Sequence, residues 1–347
     1  MRRPQNKTRN LLVATMGIAL GGLVAALLSP GSAAYAQDKT FTMKLSTATI
    51  NDTQHEWLKR FAALVEKDSG GRIKAEIYPA SQLGSIPRQI EGVQFGSIQG
   101  WMGPPEFLVG VDERFEVLSA PGLFSSNEQV MKVMADPPIR KMIYELGEPK
   151  GLTGIGFAPI GPSSILTRKP VKTLADMKGM KIRVLASPFQ LELIRRMDMS
   201  PIAMTLADVL PGLQQGTIDG TLTTMTIYTT MKYYDVGKFV VETDQPYVNS
   251  IGVMSKKWMD SLPADLQKIV RDDAAKVTKE ITPFVRDFFA EQTKIFVANG
   301  GIISKLPKAE YDAMTVKISS IGDDLSKSKP ALNEAVKTLF ASAATHK

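Results

Sequence analysis

The feature of this sequence that most limits its fold is a strand, a helix and a second strand that follow one another near its start. Alternating apolar residues predict a strand over residues 40–46, and residues 72–78 alternate in the same way. Between them, apolar residues recur at helical spacing from Trp57 to Val65, and Ser69-Gly70-Gly71 is typical of a helix end. Strands joined through a helix pair in parallel, so the pattern predicts an α/β protein with helices covering a parallel sheet.

The same alternation of strands and helices recurs in the second half of the chain. Residues 181–185 predict a short strand, residues 189–197 a helix and residues 217–222 a further strand. Thr53 and Ser125 each stand three residues before a glutamate, which predicts two capping boxes with these residues as N-caps. These elements extend the α/β prediction over most of the chain.

Three other segments give less regular patterns. Residues 255–299 are almost all helical in pattern, with a bend at Pro283, and a helix of that length can cross two lobes. The glycines from Gly151 to Gly161 fit no dinucleotide-binding spacing and predict a loop. The tail from Ser326 is polar and rich in small residues, and we expect it to be partly mobile.

Length and charge restrict the classes of protein to consider. A chain of 347 residues is too long for one ordinary core and suits two lobes. Its net charge is +7, but the first 36 residues contain four basic residues and no acid. The rest, with 38 basic and 35 acidic residues, carries only +3, which is not the concentrated basic field of a nucleic-acid binder.

The first 36 residues have the pattern of an export signal. A basic segment at residues 2–9 leads into an apolar run at 11–28, and Ala34-Tyr35-Ala36 forms a small-x-small cleavage site. We expect cleavage after Ala36 and a mature protein free in the periplasm; the alternative is a retained membrane anchor. Because the chain has no cysteine, lipid attachment at a cleavage-site cysteine, disulfides and thiolate metal sites are excluded.

The residues that most enzymes need are scarce. The only histidines are His55, in the first turn of a predicted helix, and His346 in the tail, too few for a histidine-based triad or metal site. No phosphate-binding loop or nucleophile-elbow motif is present. The neighbouring carboxylates Asp112 and Glu113 lie in a polar stretch and are better interpreted as surface charges. We therefore predict a protein that is not an enzyme and needs no cofactor or metal.

Residues 174–220 carry the most specific pattern in the chain. Residues 174–184 read LADMKGMKIRV, residues 200–204 read SPIAM, and residues 212–220 read GLQQGTIDG. In this order they resemble the DctP-type solute-binding proteins of TRAP (tripartite ATP-independent periplasmic) transporters. Further segments, such as YPASQLG at 78–84 and EGVQFGS at 91–97, extend the resemblance over nearly the whole chain after residue 37.

The resemblance implies a type II-like periplasmic-binding-protein fold, in which hinge strands and a long spanning helix join two α/β lobes around one ligand. It implies a first lobe of residues 37–159 plus 249–288 and a second of residues 160–248 plus 289–347. Several crossings between lobes restrict motion to a hinge.

The resemblance also implies a ligand anchor. On residue type alone, Arg183 would be a surface charge at a strand edge. In the family, however, the arginine of this motif forms a bidentate salt bridge with the ligand carboxylate, which a planar guanidinium fits. Arg183 is thus the candidate anchor.

Five further residues are candidate ligand contacts. Asn249 and Thr223 match positions that often supply polar contacts in the family. Trp101 and Phe189 are candidate aromatic walls, although either would also suit an ordinary core. Thr49 lies in the first strand-to-helix loop, where open α/β sheets place ligands.

One dominant cation has a consequence for the ligand. Many members carry a second arginine upstream of the motif, where this chain has Ser163 and Ser164. We therefore favour a monocarboxylate with an apolar or aromatic body over a dicarboxylate or sialic acid, with Arg88 or Lys44 as alternative sources of a second charge.

The expected function is a periplasmic receptor that captures a small organic carboxylate by hinge closure. It would deliver the ligand to the small and large membrane subunits of a TRAP transporter. The alternative is a ligand-sensing receptor for a signalling system, which would share the same pocket.

Overall fold

The computed structural model describes residues 39–185 and 187–346. The leader predicted at residues 1–36, with its cleavage after Ala36, lies outside the described residues. Within them, no helix is both long and apolar enough to cross a membrane.

Strands and helices alternate along the described chain, as the sequence predicts. The described residues form nine β-strands: β1 Phe41–Ser46, β2 Ile73–Tyr78, β3 Gly100–Gly103, β4 Leu152–Thr167, β5 Lys181–Val184, β6 Ser200–Ala203, β7 Gly220–Thr223, β8 Phe239–Ser255 and β9 Ile302–Lys305. They also form thirteen α-helices: α1 Thr53–Asp68, α2 Ile86–Phe95, α3 Asn127–Ala135, α4 Pro137–Glu145, α5 Pro188–Arg196, α6 Leu206–Gln215, α7 Met225–Thr230, α8 Lys256–Ser261, α9 Ala264–Glu280, α10 Thr282–Ala298, α11 Lys308–Ser319, α12 Ile321–Ser326 and α13 Pro330–Thr345.

The strands form one sheet with the order β2-β1-β3-β8-β4-β7-β5-β6, and β9 pairs with β8. At one end, β1 lies parallel to both β2 and β3; at the other, β5 lies parallel to both β6 and β7. We call the part built around β1, β2 and β3 the first lobe, and the part built around β5, β6 and β7 the second lobe. The predicted α/β fold, with parallel strands inside each lobe, is confirmed.

Two long antiparallel strands, β4 and β8, join the lobes. β8 pairs with β3 over residues 251–254, and β4 pairs with β7 over residues 164–167. The register between β4 and β8 shifts three times, between residues 154 and 156, 159 and 161, and 162 and 164. Such irregularities bend a strand pair, so both crossing strands are bent where they pass from one lobe to the other.

The loop predicted for the glycines at 151–161 is wrong, because most of this segment is strand β4. Its glycines are required for close packing rather than for turns. A Cβ at position 156 would lie 2.1 Å from Trp57 Cζ2, and one at position 154 would lie 2.6 Å from Tyr144 Cα. Glycine inside a strand marks such a close approach, and here helices α1 and α4 press onto β4.

The long helix predicted over residues 255–299 is divided into α8, α9 and α10. The break between α9 and α10 falls at Ile281, and Pro283 lies in the first turn of α10, where proline is tolerated. Helix α9 packs on α1 and β4, whereas α10 packs on α7. The pair thus spans both lobes, as expected, but as two helices.

Two smaller predictions also need correction. The N-caps of α1 and α3 are Asp52 and Ser126, whose side chains accept hydrogen bonds from His55 N and Gln129 N, both at 3.0 Å. Each cap therefore lies one residue away from the predicted Thr53 or Ser125.

The tail predicted to be mobile forms α13, because Leu332, Val336, Leu339 and Ala343 recur at helical spacing and are buried.

Candidate ligand-binding site

A small enclosed cavity lies between the two lobes, at the carboxyl ends of β1, β3, β5 and β7. Open α/β sheets bind ligands at this end of their strands. Its lining comes from both lobes and from the crossing strands: Ala48, Thr49, Gln54, Ile86, Trp101, Pro104, Phe107, Ile160, Arg183, Leu185, Leu206, Thr223, Ile227 and Val248. Its volume is about 30 Å³, about the share that one water molecule takes in the liquid.

Strand β5 carries Arg183 into the cavity. It is the middle strand of the second lobe, and Arg183 pairs with Ile202 on β6 and Thr221 on β7. Because both faces of such a strand are covered, the side chain of Arg183 is buried, with 1% of its surface exposed. Its Nε donates a hydrogen bond to Met204 O at 3.0 Å, which fixes the plane of the guanidinium.

The charge of Arg183 has no counter-ion within ion-pair distance among the described residues. The ion pairs of the described chain involve other basic groups, and the two terminal nitrogens of Arg183 hydrogen-bond to no described residue. Burial lowers the pKa of Arg183, while Tyr233, Tyr228 and Glu106 act in the opposite direction. An arginine nevertheless stays protonated at neutral pH, so the cavity contains a desolvated cation.

Neutral polar groups complete the lining. Thr47 Oγ1 donates to Gln54 Oε1 at 3.1 Å and lies 3.3 Å from Thr49 Oγ1. Trp101 Nε1 is buried and has no hydrogen-bond partner among the described residues. A buried donor without a partner is rare in proteins, which makes this indole N–H a candidate contact for a ligand acceptor.

Four of the six predicted site residues meet at this cavity. Arg183, Thr223, Trp101 and Thr49 all line it, from β5, β7, β3 and the loop after β1. Thr223 ends β7 and Thr49 follows β1, as the strand-end rule requires, whereas Arg183 and Trp101 lie within the last three residues of β5 and β3. Neither of the predicted alternative cations, Arg88 or Lys44, lines the cavity.

The other two predicted residues do not line the cavity. Phe189, on α5, belongs to the main hydrophobic core. Asn249, on β8, donates from Nδ2 to Tyr247 O at 3.1 Å and to Leu118 O at 3.4 Å. Successive residues of a strand point to opposite faces; the neighbouring Val248 faces the cavity, and Asn249 therefore points away from it.

The sequence predictions missed Gln54, Phe107 and most of the apolar lining. Gln54 lies in the first turn of α1, directly after the loop that carries Thr49, and the strand-end rule that selected Thr49 would have reached it. Phe107 lies in a 3-10 turn, Pro105–Leu108, for which the sequence gives no periodic signal. Across the described residues, no group of three or more acidic or histidine side chains is arranged to hold a metal ion.

The fold has close structural relatives. A TRAP periplasmic solute-binding protein from Desulfovibrio salexigens, solved with bound orotic acid, superposes with a TM-score of 0.84 at 23% identity, over 89% of this chain and all of that one. The chain therefore has the fold of the two-lobed solute-binding proteins.

Sequence comparison identifies the family. Residues 46–328 match the model of DctP, bacterial extracellular solute-binding protein family 7. The C4-dicarboxylate-binding periplasmic protein DctP of Rhodobacter capsulatus is 28% identical over 79% of this chain and 82% of its own. The 2,3-diketo-L-gulonate-binding periplasmic protein YiaO of Escherichia coli is 28% identical over 74% of this chain and 79% of its own.

The chain belongs to the bacterial extracellular solute-binding proteins of family 7. This family consists of receptors without enzymatic activity, which confirms the prediction that the protein is not an enzyme. The resemblance on which the sequence analysis relied is likewise confirmed, and the relatives named above are periplasmic proteins.

Proposed function

We propose that this protein is an exported receptor that binds a small organic carboxylate through Arg183 and delivers it to a TRAP transporter. The observation that carries the proposal is a buried guanidinium that lines the interlobe cavity without a carboxylate partner in the described chain. Taking a charge out of water costs several kcal/mol unless an opposite charge compensates it. A ligand carboxylate would supply that charge and both missing hydrogen bonds.

The lining favours a monocarboxylate with a mainly apolar or aromatic body. Arg183 is the only ionisable group among the lining residues, and only Thr49, Gln54 and Thr223 add side-chain oxygen or amide groups. The other contacts are aliphatic or aromatic. A second carboxylate would be desolvated here without a cation, which is unfavourable. Orotic acid, bound by the Desulfovibrio salexigens relative, is one acid to test first.

The size of the cavity requires the lobes to move during binding. A volume of about 30 Å³ is far below the several hundred Å³ typical of pockets for small organic ligands. The bent crossing strands β4 and β8 are the natural hinge, because hinge motions concentrate at a few positions between packed lobes. We retain residues 37–159 plus 249–288 and 160–248 plus 289–347 as the proposed lobe boundaries.

Export and delivery complete the proposal. The leader at residues 1–36 directs the chain to the periplasm and is removed after Ala36. The liganded, closed receptor then engages the small and large TRAP membrane subunits through surfaces on both lobes. Membership of family 7 supports this step.

A thermal-shift screen with aromatic, branched-chain, keto-, sugar and dicarboxylic acids tests the proposal. A ligand present at 100 times its Kd stabilises the folded state by about 2.7 kcal/mol, which gives a readable rise in Tm. Arg183→Ala should abolish the rise for every acid that stabilises the parent. Arg168→Ala removes an exposed arginine from the same lobe and should leave it unchanged. Equal shifts for Arg183→Ala and the parent would refute the proposed anchor.

A further inference from the structure

Two buried carboxyl groups on the first-lobe side contact the start of helix α5 in the second lobe. Glu106 lies in the 3-10 turn Pro105–Leu108, and Glu116 lies in a second one, Glu113–Ser119. Their residues are 2% and 1% exposed. Acidic side chains are almost never buried so completely without a specific partner. Their partners are Ser187, Phe189 and Gln190, more than seventy residues away in the chain.

Glu116 completes the N-terminus of α5. Pro188, the first residue of the helix, has no N–H, and the N-cap Ser187 accepts from Gln190 N at 3.1 Å. The remaining first-turn donor, Phe189 N, donates to Glu116 Oε1 at 2.5 Å, and Ser187 Oγ donates to the same oxygen at 2.6 Å. A carboxylate at a helix N-terminus is favoured by both hydrogen bonding and the helix dipole. The helix thus depends on the other lobe for this cap.

Glu106 contacts the start of α5 through Gln190. Gln190 Nε2 donates to Glu106 Oε1 at 3.1 Å, and Gln190 Oε1 accepts from Leu185 N at 3.1 Å. Leu185 lines the cavity and stands two residues after Arg183. The two carboxyls, Gln190 and Ser187 therefore form one polar contact between the lobes, directly behind the cavity wall.

We propose that Glu106 and Glu116 are positioning residues that clasp the start of α5 when the lobes close, and so set Arg183 in its place against the ligand. The clasp consists of hydrogen bonds between lobes, so it breaks when the lobes separate and water takes over its partners. An effect of the clasp on ligand affinity rests on the proposed role of Arg183. An effect of the clasp on lobe closure is independent of that role.

The clasp makes closure sensitive to pH. Burial raises the pKa of Glu116 to about 7, opposed by the hydrogen bonds from Ser187 and Phe189. Among charged neighbours, Glu106 raises this pKa further, and Lys329 at the start of α13 lowers it. Burial also raises the pKa of Glu106, whereas the nearby charge of Arg183 lowers it.

The direction of the pH effect follows from these shifts. We expect Glu116 to be hydrated when the lobes are open and to titrate near the ordinary glutamate pKa of about 4.3. The closed form holds the proton more tightly, so closing takes up a proton between that pKa and about 7. The closed fraction therefore rises as pH falls from 8 to 5.5, by on the order of 30-fold in the closing equilibrium.

Spin labels can measure closure without any ligand, because the chain has no cysteine. We would place labels at Glu91→Cys on α2 and Gln214→Cys on α6, which are exposed and lie on helices that start at opposite sides of the cavity. Double electron–electron resonance at pH 5.5 and pH 8 then gives the populations of short and long distances. In the labelled parent, the short-distance population should be larger at pH 5.5.

Three variants of the labelled chain test the clasp. Glu116→Gln keeps an acceptor oxygen but cannot titrate, so its distances should change less with pH than those of the parent, with Glu106 as the remaining buried carboxyl of the clasp, and should match the parent at pH 5.5. Glu116→Ala lacks the acceptor and should be more open at both pH values. Glu128→Gln is the control, since Glu128 is an exposed glutamate on α3 and is not among the charged neighbours of Glu116; it should behave as the parent.

The outcomes separate the clasp from the proposed function. The proposed clasp is refuted if the distance populations of the labelled parent do not change with pH. It is also refuted if those of Glu116→Gln change with pH as much as those of the parent. If Glu116→Ala does not fold, the Glu116→Gln comparison still decides. Arg183→Ala in the labelled chain should retain pH-dependent closure while losing stabilisation by acids. A failed acid screen with intact pH-dependent closure would therefore refute the proposed ligand class and leave the clasp standing.

Discussion

The two walls of the interlobe cavity differ in chemistry. The first-lobe wall, formed by Ala48, Thr49, Gln54, Ile86, Trp101, Pro104 and Phe107, is apolar or neutral. The second-lobe wall, formed by Arg183, Leu185, Leu206, Thr223 and Ile227, carries the only charge in the lining. We therefore propose a division of roles, in which the second lobe would anchor the acid group and the first lobe would fit the body of the ligand.

This division has unequal energetic consequences. A desolvated ion pair whose partner is removed costs about 3–5 kcal/mol. A misfit of one methylene against an apolar wall costs only about 1–3 kcal/mol. We therefore expect substitutions in the second-lobe wall to change affinity for all ligands, and substitutions in the first-lobe wall to change the preference among them.

The largest effect is expected at Arg183. Arg183→Ala should weaken binding of the best acid from the screen by on the order of 100- to 1,000-fold, because the ligand carboxylate loses its counter-ion. Arg183→Lys should retain part of this affinity, since lysine keeps the charge but lacks the planar fork. Isothermal titration calorimetry measures the Kd of both variants. A change in Kd below threefold for Arg183→Ala would contradict the role of Arg183 as the anchor.

A smaller effect is expected at Trp101 on the first-lobe wall. Trp101→Phe keeps an aromatic ring but removes the buried indole N–H, which has no partner in the described chain. The loss of one neutral hydrogen bond, worth about 0.5–1.5 kcal/mol, should weaken binding by about 3- to 10-fold. The matched control is Trp57→Phe, because Trp57 Nε1 already donates to Thr278 Oγ1 and the ring lies outside the cavity lining.

Calorimetry of both tryptophan variants, against acids that do and do not carry an acceptor on their bodies, sharpens the comparison of the two walls. The effect of Trp101→Phe should be confined to acids with such an acceptor, and Trp57→Phe should alter Tm but not affinity. If Trp101→Phe instead weakened the binding of every acid equally, Trp101 would contact the carboxylate group and would not distinguish among ligand bodies.

The smallest effects are expected from Thr49 and Thr223, which line the cavity from opposite lobes. Thr49→Val and Thr223→Val each remove a hydroxyl while keeping the shape of the side chain. For a mainly apolar monocarboxylate, each should change Kd by less than about threefold, within the range of one weak hydrogen bond. Losses above tenfold in both would instead indicate a polyhydroxylated sugar acid, and would contradict the preferred ligand class.

Much of this architecture could be predicted because short-range patterns specify it. The alternation at residues 40–46 and 72–78 identified β1 and β2, and the motif around Arg183 identified the strand that carries the anchor. Thr49 was reached through a strand end and Thr223 through a family position, and both line the cavity. Trp101 was predicted only as a candidate aromatic wall, and it also lines the cavity.

The missed features depend on contacts between residues far apart in sequence. The glycines of β4 suggested a loop, because the sequence does not show that Trp57 and Tyr144 press against them. The caps of α1 and α3 were misplaced by one residue because neighbouring Asp, Thr and Ser compete for the same role. Glu106 and Glu116 resembled ordinary acidic residues, and their burial follows only from the docking of one lobe onto α5.

A crystal structure of the protein with its best acid would test the central claim most directly. The account predicts the carboxylate within hydrogen-bond distance of both terminal nitrogens of Arg183, with the body of the ligand against Trp101 and Phe107. A ligand held by other groups, with the guanidinium of Arg183 more than 4 Å from any ligand oxygen, beyond the reach of an ion pair, would contradict it.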